Sequence, residues 1–163
     1  MNQLRVNMNP LVEKLRTLIQ SKKISFEEID HSAAPTCEAS ALARKRDIKI
    51  GGKTLLLKDK KDFRLFTISA AKQVDSNKVR KILNSQKLRF ATKDELQELC
   101  GVGKGALPPF GRNIFPYDFY LDKSILDNTE IAFNAGILTK SFILKMEDYL
   151  KLIDPIICDF SKE

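Results

Sequence analysis

The chain is poor in the residues on which most small enzymes build their chemistry. In 163 residues it has one histidine, His31, and three cysteines, Cys37, Cys100 and Cys158. Any Ser-His-Asp or Cys-His arrangement would therefore have a single candidate base, and no Gly-x-Ser-x-Gly elbow exists to present a serine. The cysteines are odd in number, far apart and without a Cys-x-x-Cys pair. That argues against a disulfide framework and for reduced thiols in a cytosolic protein. No His, Cys or carboxylate cluster has metal-ligand spacing, so no metal and no cofactor are expected. Long apolar runs are missing as well, the longest being short segments such as Thr54 to Leu57, well below membrane-spanning length. Met1 to Asn9 lacks the apolar core of a secretory signal. Internal repeats and low-complexity linkers are absent.

What is present is a foldable, basic chain. The hydrophobic fraction of 43% excludes wholesale disorder, and the length suits one domain, residues 1–163, with a real core. Lys plus Arg total 28 against 21 acidic residues, a net charge of +7, with a pI near 9.3. Basic residues are dense from Arg44 to Arg89, in Arg44-Lys45-Arg46, Lys58-Asp59-Lys60-Lys61 and Lys78-Val79-Arg80-Lys81. Such a surface attracts polyanions by counterion release without reading sequence. Nucleic acid is the leading partner; charge does not separate RNA from DNA, and a merely solvated lysine-rich surface is the plain alternative.

Helix signals are clear at several points. Asn9-Pro10 reads as N-cap and first turn of a helix to about Gln20, with Leu11, Leu15, Leu18 and Ile19 on one face. Pro35-Thr36 caps a helix from Cys37 to about Arg46 whose small, Ala-rich faces suit close packing. Val74-Asp75 opens a third through Leu83. Thr92-Lys93-Asp94-Glu95 is a capping box for a helix reaching Cys100, with Gly101 as its terminator. A last helix runs from Glu147 to Ile153. Strands are expected at Ile24 to Ile29, Thr54 to Lys58, Phe63 to Ser69, Leu88 to Ala91, Asp118 to Leu121, Glu130 to Phe133 and Ser141 to Leu144, with an edge strand at Ile156 to Phe160. Strands and short helices do not alternate strictly, which predicts an α+β, mixed-sheet domain.

The segment from Gly101 to Gly111 packs four glycines, Pro108, Pro109 and Lys104 into one loop. Glycine admits positive φ and close approach to peptide N–H groups, and proline stiffens the shape before anything binds. A preformed turn rich in donors beside a lysine suits a phosphate, a carboxylate or a developing oxyanion. It is not a Walker A loop, because Lys104 lies between glycines and Ala106 follows Gly105. It is not a dinucleotide fingerprint either, since a helix precedes it and Pro108-Pro109 block one after it.

These landmarks, taken in order, resemble the YbaK/prolyl-tRNA synthetase-associated editing domain family. They are His31 with the helix opening Pro35-Thr36-Cys37-Glu38-Ala39-Ser40-Ala41, the strand Lys53-Thr54-Leu55-Leu56-Leu57, and Val74-Asp75 through Val79. Gly101-x-x-x-Gly105-x-x-x-Pro109-x-Gly111 follows, then Phe133-Asn134-Ala135-Gly136. The resemblance covers about Ile24 to Ile153 and implies a barrel-like mixed β-sheet flanked by short helices. It further implies a free-standing, cytoplasmic deacylase that hydrolyses mischarged tRNA in trans, plausibly tRNA(Pro) carrying Cys or Ala. Partners would be the aminoacyl-tRNA and a synthetase, with no membrane, and the chain would act as a monomer.

The resemblance also assigns roles. Lys53 would hold the terminal adenosine or phosphate and the scissile end, and backbone N–H groups at Gly105 and Ala106 would meet the oxyanion. Gly101, Pro109 and Gly111 would shape the pocket wall, with Phe110 either stacking or buried. Thr54 would line the site through its backbone, its hydroxyl packed. Asn134, Ala135 and Gly136 would recognise the acyl group; some proline-system members carry histidine where Asn134 stands, which leaves the edited amino acid open. Read from the residues alone, His31 follows a strand and makes a structural hydrogen bond, Cys37 and Cys158 pack, and Cys100 beside the glycine loop is the better candidate for reactivity, although a helix C-terminus raises its pKa. Two rivals remain: a tRNA-binding or synthetase-associated module without hydrolysis, and a small-molecule esterase or thioesterase.

Overall fold

The computed structural model describes residues 9–163. The first helix, α1 (Pro10–Ser21), starts where the Asn9 side chain accepts hydrogen bonds from the Leu11 and Val12 N–H groups. It is followed by β1 (Glu27–Asp30), α2 (Cys37–Arg44) and a 3-10 turn at Ile48–Ile50. The hairpin β2 (Gly52–Lys58) and β3 (Phe63–Ser69) leads to α3 (Ser76–Leu83), the short β4 (Arg89–Phe90) and α4 (Lys93–Cys100). Beyond the glycine loop come β5 (Phe119–Asp122), α5 (Lys123–Leu126), β6 (Glu130–Asn134), β7 (Lys140–Lys145), α6 (Met146–Tyr149) and β8 (Ile156–Cys158).

The strands form two sheets. One has the order β1-β7-β6 and is antiparallel throughout; the other has the order β4-β2-β3-β5-β8, with β5 running parallel to β3 and β8 parallel to β5. An isolated parallel bridge from Gly51 to Ala132 ties them together. Among the described residues neither sheet closes on itself, which corrects the barrel-like expectation: the fold is mixed α+β with two open sheets. Apart from that bridge on β6, the edge strands β1, β4, β6 and β8 each have one paired side.

The main core lies between the sheets and under α1, where Leu15, Ile19, Leu56, Leu65, Phe110, Phe133, Phe142 and Tyr149 pack together. A second core on the far side of the five-stranded sheet joins Leu57, Phe66 and Ile68 to Val79 of α3 and to Phe160. Both faces of β2 and β3 are therefore covered, and this explains why their apolar residues do not alternate cleanly with polar ones. The capping box at Thr92/Glu95 and the left-handed cap at Gly101 stand as expected, and Asp75 caps α3.

Element boundaries shift by one to three residues in places. The β1 ladder begins only at Glu27, although Ile24 is buried and Phe26 packs on Phe142 with ring centroids 4.9 Å apart. Helix α2 stops at Arg44 because Lys45 turns left-handed, φ 56°. The helix expected over 147–153 is one short turn, α6, continued by a 3-10 turn at Leu150–Leu152.

Candidate functional site

A cavity of about 270 Å³ opens between the start of α2, the N-terminal half of β2, the glycine loop and the end of β6. That is just under the roughly 300–1,000 Å³ of pockets that take drug-sized ligands, and it suits a small acyl group. Helix α2 contributes Cys37, Ser40 and Arg44, spaced at i, i+3 and i+7 on one face. Its start is fixed by Thr36, whose hydroxyl accepts from the Ala39 N–H at 3.0 Å. Gly51 to Leu55 form the floor, Lys104, Gly105 and Leu107 the opposite wall, and Asn134 the inner end.

Lys53 stands at the rim of this cavity, half-buried, and its Nζ donates to the Lys72 carbonyl at 3.1 Å. Neighbouring Thr54 shares a hydrogen bond with the Thr67 hydroxyl directly across the hairpin, at 2.8 Å. Its hydroxyl is thus held by the sheet while its main chain borders the cavity. Gly105 is exposed on the loop with φ +86°. Among the described residues its N–H makes no hydrogen bond, which leaves it as a free donor at the cavity.

Arg44 carries the most telling electrostatics. It is 6% exposed and has no carboxylate partner among the described residues. Burial pushes its guanidinium down to about 10, so it stays charged at neutral pH. Its Nε donates to the Ser141 hydroxyl at 2.9 Å and one terminal nitrogen donates to Asn134 Oδ1 at 3.2 Å. The other, Nη1, lies beside Gly51 at the cavity wall. Isolated buried charge costs several kcal/mol, and here the hydrogen bonds to Ser141 and Asn134 offset part of it. Asn134 completes the chain of contacts by donating from Nδ2 to the Gly105 carbonyl at 2.8 Å.

His31 touches this network from outside the cavity. Its Nδ1 contacts the Ser32 carbonyl at 2.9 Å, which can only accept, so Nδ1 carries the proton. Its Nε2 lies 2.8 Å from the Ser141 hydroxyl. The histidine is a structural hydrogen-bonding group, not a base aimed at the cavity.

A model of the aminoacyl-tRNA editing domain matches residues 31–152. The chain belongs to that family. The multifunctional Ser/Thr-tRNA deacylase ProXp-y of Escherichia coli K12 is 31% identical over 156 residues, covering 92% of each chain. The prolyl-tRNA editing protein ProX of Acetoanaerobium sticklandii is 26% identical over 136 residues, covering 80% of this chain and 83% of its own. A crystal structure of a candidate trans-editing enzyme for prolyl tRNA synthetase superposes with a TM-score of 0.82 at 22% identity, over 96% of this chain and all of the other.

In this editing domain, four residues singled out from the sequence meet at the cavity: Lys53, Thr54, Gly105 and Asn134. Seven others do not line it. Gly101 terminates α4. Phe110 is fully buried, edge-on to Phe133 and Tyr149. The Pro109 carbonyl accepts from the Tyr149 hydroxyl at 2.6 Å, and Gly111 backs onto Phe119. Ala135 is fully buried, and Gly136 lies against Leu11 of α1. Ala106 is buried too, and its N–H donates to the Gly103 carbonyl at 3.2 Å. That donor is committed to a turn and is not available for an oxyanion, which narrows the expected pair to Gly105.

The basic stretch is also less open than its sequence suggests. Arg44 is interior; Arg46 pairs with Glu27 and Glu130, Arg64 with Asp59 and Asp118, Lys78 with Asp159 and Arg89 with Glu95. Near the cavity the exposed cations are lysines, notably Lys72 and Lys104. Cys100 is buried at the end of α4, where desolvation pushes its thiol up to about 11. Cys37, expected to pack, instead lines the cavity. No group of three or more His, Cys, Asp or Glu able to hold a metal occurs among the described residues, and no described helix is long and apolar enough to cross a membrane.

Sequence reasoning missed Arg44, Ser40 and Cys37 as cavity residues. The signal was there: on a helix of otherwise small residues, an arginine seven positions after Cys37 falls on the same face.

Proposed function

We propose that this chain, acting over residues 1–163 as one unit, is a trans-editing deacylase that hydrolyses the ester of mischarged tRNA in the cytoplasm. The observation that carries the reading is the meeting of Lys53, the free Gly105 N–H and Asn134 around one small cavity in a chain of the editing family. Water adds to the ester carbonyl, the carbonyl oxygen becomes negative, and the bond to the ribose oxygen breaks. The departing ribose oxygen takes up the proton lost by the water, leaving a free amino acid and an uncharged tRNA. The Gly105 N–H meets the developing oxyanion, where one well-placed donor is worth roughly 100- to 1,000-fold in rate. Lys53 holds the terminal nucleotide by charge, and Lys72 and Lys104 extend that field to the acceptor-stem phosphates.

The acyl group is small. Cys and Ala, expected from the proline-system resemblance, both fit by size. The polar inner end formed by Arg44, Asn134 and Ser40 favours a hydroxyl-bearing Ser or Thr, because a site built to donate to a side-chain oxygen rejects the analogue lacking it. The name of the E. coli relative points the same way. Association with a synthetase is a further element of this reading, supported by an editing segment within the proline–tRNA ligase of Macrococcus caseolyticus that is 26% identical over 111 residues.

The test is deacylation of tRNAs charged with Ser, Thr, Ala, Cys or Pro. Hydrolysis of Ser- or Thr-tRNA at least tenfold faster than Ala-tRNA supports the reading. Tight tRNA binding with no hydrolysis of any would replace it with a binding module, and equal hydrolysis of free aminoacyl esters would replace it with a small-molecule esterase.

A further inference from the structure

The geometry points to Arg44 as a positioning residue that sets the catalytic loop through Asn134, a role that rests on the deacylase reading but is visible apart from it. A guanidinium has only donors to offer, and a peptide carbonyl can only accept. With Arg44 fixed on Oδ1 of Asn134, the amide cannot flip, and Nδ2 must face the Gly105 carbonyl, to which it donates at 2.8 Å. That bond holds the Gly105–Ala106 peptide in one orientation. The Ala106 N–H then points the opposite way, into its turn with Gly103.

Arg44 is itself pinned at its other corner by Ser141, whose hydroxyl oxygen accepts from the arginine Nε at 2.9 Å and also contacts His31 Nε2 at 2.8 Å and Asn134 Oδ1 at 3.4 Å. The chain of contacts therefore runs from β7 through α2 and β6 to the loop. It crosses sequence separations of 97, 90 and 29 residues. Within the loop the Ala106 N–H bond to the Gly103 carbonyl holds one edge of this peptide, and the Asn134 amide holds the other; Gly105 itself, at φ +86°, is in a region glycine enters freely. The buried guanidinium adds a charged donor to Oδ1, which reinforces the one amide orientation that the Gly105 carbonyl accepts.

Two substitutions separate positioning from mere packing. Asn134→Asp keeps the size of the side chain and strengthens the contact to Arg44 into an ion pair, but places an oxygen against the Gly105 carbonyl. Arg44→Lys keeps the charge and loses the fork that reaches Ser141 and Asn134 together. Both proteins would be compared with wild type by thermal unfolding, by amide hydrogen exchange over residues 103–107, and by kcat and KM on the tRNA that wild type hydrolyses best. For Asn134→Asp we expect an unchanged or raised Tm, exchange in 103–107 at least tenfold faster, and kcat down at least tenfold with KM within about twofold. Arg44→Lys should show the same pattern at smaller size. Unchanged exchange in 103–107, or kcat within twofold of wild type for Asn134→Asp, overturns the proposal. Faster loop exchange in Asn134→Asp, beside a wild-type protein that hydrolyses no charged tRNA, sustains the latch and removes the deacylase reading.

Discussion

Two glycines with nearly the same backbone, Gly105 at φ +86° and Gly136 at φ +90°, should respond to alanine in different ways. A left-handed φ costs an L-residue roughly 1–2 kcal/mol wherever it occurs. At Gly105 a methyl group would meet only ordinary contacts, Leu138 Cδ2 at 3.5 Å and the Pro35 carbonyl at 4.0 Å. Gly105→Ala should therefore cost about 1 kcal/mol. At Gly136 the new carbon would lie 2.7 Å from Leu11 Cδ2 and 2.9 Å from Leu11 Cγ, so α1 must shift or repack. Overpacking of this kind adds roughly 1–3 kcal/mol, for a total of about 3 kcal/mol.

At roughly 2–4 °C per kcal/mol for a chain of this size, Gly136→Ala should lower Tm by about 10 °C and Gly105→Ala by about 3 °C. Activity should rank the other way. Gly105→Ala puts a methyl group on the cavity wall and strains the oxyanion donor, so kcat should fall at least tenfold. Gly136→Ala should retain kcat within about threefold below its melting range. Adding Leu11→Ala should recover the steric part of the Gly136→Ala loss, read as a positive coupling in urea unfolding. Equal stability losses at the two positions, or a larger kcat loss at Gly136, would refute the assignment of one glycine to the site and the other to packing.

Three further outcomes follow from local chemistry. Cys37 lines the cavity, whereas burial pushes the Cys100 and Cys158 thiols up to about 11; alkylation at pH 7.5 should modify Cys37 first and abolish deacylation, with mass spectrometry locating the adduct. Tyr149→Phe removes the buried hydrogen bond to the Pro109 carbonyl and should cost about 2 kcal/mol in urea unfolding with little change in kcat. Burial alone would raise the Asp59 carboxyl, but N–H groups of Asp62 and Lys61 and the Arg64 guanidinium outweigh that and hold it at about 2. A carboxyl depressed in the folded state contributes stability above its unfolded value near 3.9, and that contribution is lost as pH falls toward 2. The stability gap between wild type and Asp59→Asn, on the order of 1 kcal/mol, should be constant above pH 5 and shrink between about pH 4 and pH 2.

Much of the fold was legible because its signals are local. Asn9-Pro10, Thr92 with Glu95, Asp75 and Gly101 each act within one helical turn, and the structure shows each cap where the sequence puts it. The hairpin at 52–69 was legible from its β-branched and apolar runs. Sheet closure was not, since the edges at β4 and β8 are fixed by how far two short strands pair and not by any residue pattern. Of the residues that the resemblance singled out, Lys53, Gly105 and Asn134 line the cavity, whereas Phe110, Gly111 and Gly136 come from the same motifs and pack against the core. Conformational demand and ligand contact leave the same glycine signature. Arg44 escaped notice because it sits in a basic run, and a sequence carries no mark of whether an arginine will find an acid. That Arg46, Arg64 and Arg89 find theirs, and Arg44 does not, is settled by contacts spanning from 6 to 97 residues of chain.

The most direct measurement is single-turnover deacylation of Ser-tRNA and Thr-tRNA by wild type and by Lys53→Ala, with Tm recorded for both. Lys53 is at the cavity rim and the only hydrogen bond of its side chain among the described residues is to the Lys72 carbonyl, so the variant should keep its Tm within about 2 °C. Hydrolysis by wild type with at least a 100-fold loss in Lys53→Ala is the expected result. Deacylation unchanged in the folded variant, on every charged tRNA tested, would contradict the assignment of this cavity as the editing site.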